Sequence, residues 1–259
     1  MTTYVLVGGA WLGGWAWREV GRRLRAAGHD AYPVTLTGLG ERVHLATPET
    51  DLDTHITDVV NLISYEDLRD VVLVGHSYSG IVVEGAADRV AERIATVVYV
   101  DSAPLGDGMA HLDFYPPPLR AAVEAAVAGA GDGWRLPFPG LDGLAQQASL
   151  AGLGAGARAL MVRHATAQPF GTYTQPLSLR HDAVSHARRA IVCSDGGFSV
   201  RQIRAALASD DPGIFGAYAG PGWDLDEIHT GHWPMLSAPE RLSALLASYA
   251  DVRAVAERT

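Results

Sequence analysis

Short apolar runs alternate along this chain with stretches whose apolar residues recur at helical spacing. Tyr4 to Val7 reads as a first strand, and residues 15–27 (WAWREVGRRLRAA) read as a helix stopped by Gly28. Ala31 to Leu36 predicts a second strand. Residues 53–64 predict a helix with Asp53 or Thr54 as N-cap. Val71 to Val74 is apolar without interruption, as a strand covered on both faces must be. A helix from about Ile81 to Arg89 and a strand from Ala95 to Val100 follow. Two later strands, Ala190 to Cys193 and Asp224 to Ile228, and a closing helix over residues 239–250 complete the series. Strands separated by helices predict an α/β fold: a mostly parallel central sheet with helices on both faces.

Between about Pro104 and Ser185 this pattern weakens. The stretch is rich in Ala, Gly and Pro, with PPP at 116–118 and PFPG at 137–140, and carries only weak helical periodicity. The expectation is a single domain over residues 1–259 with a cap inserted at about 104–185. At 259 residues and 48% hydrophobic content, one core buries roughly three quarters of the unfolded surface and needs no metal or disulfide. The lone Cys193 has no internal partner and reads as a small buried hydrophobe, which suits a reducing compartment. A formal charge of −9 without any basic run excludes nucleic acid as a partner. The apolar N-terminus lacks a basic n-region, and no apolar run reaches the roughly 18 residues of a membrane span. A soluble, cytoplasmic monomer or homodimer acting on a small molecule is the expectation.

The chemistry concentrates where the apolar run Val71 to Val74 enters Gly75-His-Ser77-Tyr-Ser79-Gly80. A strand that turns sharply into a helix exposes the turning hydroxyl above the sheet, and small residues two positions away permit the turn. Ser79 takes the place usually held by the second glycine. A serine needs a base to remove its proton. In this chain order the base follows the last strand, which selects His232 in HTGHWPML over His229 at the strand end. Two carboxylates compete to orient the imidazole: Asp101, ending the strand after the nucleophile strand, and Asp195, after the later strand. The oxyanion would take the backbone N–H groups of Tyr78 and of Ala10 in the Gly8-Gly9-Ala10-Trp11 loop. That loop lacks the G-x-G-x-x-G spacing of a dinucleotide site. Trp11, Tyr78, Trp134, Phe138 and Trp233 are candidates to line a substrate pocket, with Trp11, Tyr78 and Trp233 adjoining the catalytic elements. His229 and His232 alone do not supply a metal site.

The opening VLVGGAWLGGWAW resembles that of the α/β-hydrolase esterases that include plant methyl esterases, hydroxynitrile lyases and bacterial pyrethroid-hydrolysing esterases. TLTGLGERVHL, DLDTHITDVVNLI, DLRDVVLVGHSYSG, ADRVAERIATVVYVDSAP, AQPFGTYTQPL and TGHWPMLSAPERL are similar to the bacterial branch. The resemblance implies the α/β-hydrolase fold and a Ser-His-Asp hydrolase with no cofactor. It carries roles onto Ser77, His232, Ala10 and Tyr78, with Asp101 matching the bacterial branch and Asp195 the wider superfamily. Two histidines of the family opening are replaced by Gly8 and Leu12, which implies a less polar mouth. Gly9 and Trp233 stand where a hydroxynitrile lyase carries Thr and Lys. The expected reaction is hydrolysis of a small apolar ester or lactone through an acyl-enzyme on Ser77. A biosynthetic cyclase or lyase on the same site, or a non-catalytic binding protein on this scaffold, are the alternatives.

Overall fold

The computed structural model describes residues 1–181, 186–220 and 222–256. The predicted strands and helices recur in the predicted order. Strand β1 (Thr3–Val7), helix α1 (Arg18–Ala26), strand β2 (Asp30–Val34) and helix α2 (Leu52–Tyr65) come first. Strand β3 (Val71–His76), helix α3 (Ser79–Arg89) and strand β4 (Ile94–Val100) follow. Helix α4 (Pro117–Ala130), the two-residue strand β5 (Arg135–Leu136), α5 (Gly140–Ala145), α6 (Ala155–His164), the two-residue strand β6 (Gln168–Pro169) and α7 (Gly171–Thr174) lie beyond β4. Strand β7 (Ala187–Cys193), α8 (Val200–Leu207), strand β8 (Trp223–Ile228), α9 (Pro234–Ser237) and α10 (Pro239–Ala256) end the chain.

Six strands form one sheet in the order β2-β1-β3-β4-β7-β8, every pair parallel. Its central strands are covered on both faces, so β3 is buried at all six positions and explains the unbroken apolar run. Helix α1 packs against α10, and α2 against α3. The Tyr4 hydroxyl donates to Leu246 O at 2.8 Å and ties α10 to the first strand. Strand order reverses beside β1, where β2 lies on one side and β3 on the other. In an open α/β sheet such a reversal opens a crevice at the carboxyl ends of the strands.

Three expectations change in detail. The first helix is preceded by a 3-10 turn over Gly14–Trp17 and begins only at Arg18. Helix α2 is capped by Asp51, not Asp53 or Thr54. The Asp51 carboxylate accepts from Thr54 N at 2.9 Å while the Thr54 hydroxyl accepts from Asp51 N at 3.4 Å. Thr54 is thus the far half of a capping box. The weakly patterned stretch after Pro104 contains a 14-residue helix, α4, of which only Val123 and Val127 are buried. A helix that buries so narrow a stripe leaves little periodicity to read. The far end of the expected cap, residues 182–185, lies outside the described residues. Among the described residues no helix is long and apolar enough to cross a membrane.

Loss of the α2 cap is measurable. Asp51→Ala is expected to lower the free energy of unfolding by about 1 kcal/mol, read as a fall in the urea midpoint. An unchanged midpoint would show that the box contributes nothing.

Candidate active site

The site forms at the carboxyl ends of β1, β3 and β4. Ser77 directly follows β3 and adopts φ 52°, a left-handed conformation that a side chain resists. Packing explains why small residues flank it. A Cβ on Gly75 would stand 2.6 Å from Val83 Cγ2 and 2.8 Å from Ser79 O. On Gly80 it would stand 2.2 Å from Ser102 Oγ and 2.8 Å from Ala103 O. Ser79 does more than fit. Its buried hydroxyl accepts from His76 N at 2.7 Å and lies 3.0 Å from Val7 O and 2.9 Å from His76 O, so it ties the ends of β1 and β3 together.

Ser77 Oγ lies 2.9 Å from His232 Nε2, and His232 Nδ1 lies 2.5 Å from Asp101 Oδ2. Asp101 Oδ1 also accepts from Cys193 N at 3.0 Å, which fixes the carboxylate. Asp101 therefore occupies the position beside the imidazole, and Asp195 does not. Asp195 sits past β7, one strand further along the sheet, with its amide on Thr230 O at 3.1 Å. His229 points elsewhere, toward Ser194 Oγ at 3.4 Å.

The loop bearing His232 is pinned from two sides. His232 N donates to Ser149 O at 2.9 Å, and a Cβ on Gly231 would meet that same oxygen at 2.4 Å, so only glycine admits the close approach. On the other side, His76 Nε2 donates to His232 O at 2.7 Å. His76 is 1% exposed. Burial lowers its pKa to about 3, with the nearby His232 ring pushing the same way, so it stays neutral. A Cβ on Gly9 would meet His76 Nδ1 at 2.7 Å, so the glycine at that position makes room for this ring.

Among the described residues, the backbone amides of Ala10 and Tyr78 have no hydrogen-bond partner within the protein. Both remain available to an oxyanion. Trp11, next to Ala10, is held at φ 64°.

Beside Ser77 lies a cavity of about 560 Å³ walled by Ala10, Trp11, His111, Tyr115, Tyr173, Phe198, Phe215, Tyr218 and Trp233, among others. Trp11 and Trp233 thus face it as expected. Tyr78, Trp134 and Phe138 do not wall it. The Tyr78 ring is fully buried behind Ser77, stacked on Tyr173 at 5.4 Å between centroids. Gly8 and Leu12 do not line the cavity either, which corrects the expectation of an altered mouth. Leu12 is 2% exposed. A Cβ on Gly8 would stand 3.3 Å from Leu12 Cβ, so a side chain at position 8 would crowd the leucine. The two replacements form one packing unit inside the turn.

Cys193 is buried at the cavity wall, and burial raises its thiol pKa far above neutrality, which leaves it protonated and unreactive. Among the described residues no group of three or more His, Cys, Asp or Glu side chains is placed to hold a metal ion. His111, Gln168 and His55, all close to the site, were invisible to sequence reasoning. The only signal was that two of them fall in segments, DLDTHITDVVNLI and AQPFGTYTQPL, that match the bacterial esterases.

A hydroxyl, an imidazole and a carboxylate in series at the strand ends, above a parallel sheet, define an alpha/beta hydrolase. The sequence comparison agrees: the alpha/beta hydrolase family profile matches residues 4–245, and the chain belongs to that family. It is 35% identical to the carbendazim hydrolyzing esterase of Nocardioides sp. (strain SG-4G), over 96% of this chain and 99% of the relative. Methylesterase 8 of Arabidopsis thaliana is 33% identical over 38% of this chain and 37% of its own. Among solved structures, a pyrethroid hydrolase from Sphingobium faniae JZ-2 superposes with a TM-score of 0.68 over 98% of both chains, at 21% identity. The last likeness shows the fold alone; the named esterases among the relatives make this chain a carboxylic-ester hydrolase.

Two buried imidazoles predict how stability depends on pH. Burial, the larger influence on each, lowers the pKa of His55 to about 4 and that of His76 to about 3. Because the unfolded chain binds these protons first, at about pH 6.5, the stabilisation is fully present above that pH and is lost as pH falls toward 4. Below pH 6.5 the unfolding free energy is expected to fall by about 1.4 kcal/mol per pH unit for each histidine. Urea titrations at pH 7 and pH 5 check this, and equal midpoints would contradict it.

Proposed function

We propose that Ser77 is the nucleophile of a cofactor-independent serine esterase, with His232 as general base and Asp101 as the carboxylate that orients it. The continuous bonding from Ser77 Oγ through His232 to Asp101 is the observation that carries this reading. His232 Nε2 takes the Ser77 proton as Oγ attacks the ester carbonyl. The carbonyl oxygen becomes an oxyanion bound by the N–H groups of Ala10 and Tyr78. Collapse expels the alcohol, which takes the proton from His232, and leaves an acyl-Ser77. Water then attacks with His232 again as base, releasing the acid and restoring the hydroxyl.

The cavity wall supports one substrate class. Among the described residues the wall holds no arginine, and its one carboxylate, Asp101, is engaged with His232. An anionic substrate would find no counter-ion there and would have to shed its water. The aromatic wall and the volume of about 560 Å³ suit a neutral, small to medium apolar ester or lactone. The likeness over nearly the full length to a carbendazim hydrolyzing esterase supports ester hydrolysis here. His111, Phe114, Tyr115, Leu119, Leu144 and Tyr173 of the wall all lie in residues 104–185. That segment therefore acts as a cap, inserted in a single hydrolase domain, that shapes the pocket.

The test is a panel of p-nitrophenyl esters. Ser77→Ala is expected to abolish turnover. Asp101→Asn should cost about 10³- to 10⁴-fold in kcat, while Asp195→Asn stays within about threefold of wild type. Comparable losses in the two Asn variants, or an active Ser77→Ala, would overturn the assignment. Esters bearing a free carboxylate are expected to fall at least about tenfold below neutral ones in kcat/KM.

A further inference from the structure

The segment AQPFGTYTQ, residues 167–175, has no part in the chemistry above, yet it threads between the loop of Ala10 and the helix α2. Thr166, just before it, donates its amide to Trp11 O at 3.0 Å, and its hydroxyl accepts from Gly40 N at 3.0 Å. Gln168 is fully buried. Its Oε1 accepts from Trp11 N at 3.1 Å and its Nε2 donates to Thr172 Oγ1 at 2.8 Å. Thr172, also fully buried, donates in turn to Pro169 O at 2.6 Å, and the ring of the next residue, Tyr173, stacks on that of Tyr78 at 5.4 Å. The Tyr78 hydroxyl lies 2.9 Å from His55 Nδ1, and His55 Nε2 lies 2.8 Å from Thr37 O. Because a carbonyl can only accept, Nε2 carries the proton, and Tyr78 must donate to Nδ1. At its far end the Thr37 amide donates to Asp58 Oδ2 at 2.6 Å.

Hydrogen bonds at Gln168 and the stacked Tyr173 ring thus link Trp11, beside one unpartnered amide, to Tyr78, which carries the other. We propose that Gln168 is a positioning residue that, through Trp11 on one side and through Thr172 and the Tyr173 ring stacked on Tyr78 on the other, sets the spacing of the two oxyanion donors, Ala10 N–H and Tyr78 N–H. The proposal rests on the esterase reading above. A neutral primary amide can both accept from a buried N–H and donate to a buried hydroxyl, and Gln168 does both here. Trp11 holds a left-handed conformation that costs energy unless its surroundings enforce it. Removing the Gln168 acceptor orphans the buried Trp11 N–H and releases the neighbouring Ala10 amide from its aim. A small displacement of that kind weakens binding of the transition state far more than binding of the ground-state ester.

The experiment compares wild type with Gln168→Met, which keeps the length and removes both hydrogen bonds. Steady-state kinetics on a neutral p-nitrophenyl ester are measured beside the affinity of an alkyl trifluoromethyl ketone, which adds to the serine and places an oxyanion in the hole. The expected result is a fall of about 10- to 100-fold in kcat with KM within about threefold. Ketone affinity should fall in parallel with kcat. Thr172→Val keeps Gln168 and removes only its hydroxyl partner. It should show the same pattern at smaller amplitude, and it carries the test if Gln168→Met does not fold. Kinetics and ketone affinity within about twofold of wild type, or a loss of kcat that leaves ketone affinity intact, would overturn the positioning role. A wild-type protein that neither turns over the ester nor binds the ketone would instead defeat the esterase reading itself.

Discussion

Three consecutive strands of the sheet's centre, β1, β3 and β4, each lead at their carboxyl end to a residue forced into the left-handed region: Trp11 at φ 64°, Ser77 at 52° and Asp101 at 45°. None is glycine, so each conformation costs on the order of 1–3 kcal/mol and persists only where neighbours enforce it. Enforcement comes from hydrogen bonds across the site. Ser77 N donates to Val100 O at 3.1 Å and Asp101 N to Ile191 O at 2.7 Å, each continuing the ladder of the adjacent strand. Trp11 N, lacking a strand partner, donates to Gln168 Oε1. A parallel sheet in fixed register thus converts strand pairing into the placement of a hydroxyl, a carboxylate and an amide-bearing loop.

Packing then removes the freedom these residues would otherwise have. Gly75 and Gly80 let β3 and α3 close on the turn, Gly9 admits the His76 ring, and Gly231 admits the Ser149 carbonyl. Ser79 and Ser102 use their hydroxyls as clamps, the latter donating to Ser77 O at 2.6 Å. The imidazole of His232 is held through its backbone by His76 and Ser149 and through its ring by Asp101 and Ser77. Such prior ordering lets a site stabilise a developing charge without rearranging when the charge appears.

The local features of this design were legible in the sequence because their physics is local. The buried strand running into Gly75-His-Ser77-Tyr-Ser79-Gly80 announced the elbow, and the glycine before His232 announced a tight loop. The choice between Asp101 and Asp195 was not legible, since both follow strands and only the lateral order of those strands decides which reaches the imidazole. Gly8 and Leu12 looked like changes at the mouth because sequence neighbours of a catalytic loop cannot be sorted into facing and buried without the turn's geometry. Gln168 lies 157 positions from its partner Trp11, and His55 lies 23 from Tyr78, distances at which no periodicity or capping rule operates. Helix α4 left only a weak helical pattern for the opposite reason: it buries too narrow a stripe.

The account stands on one property, a Ser77 hydroxyl activated by its neighbours. A fluorophosphonate probe, with the adduct located by mass spectrometry, measures it directly. Labelling is expected on Ser77 in the wild type, with a strong loss in His232→Ala and none in Ser77→Ala. A folded wild-type protein that takes no label, or takes it elsewhere, would contradict the account.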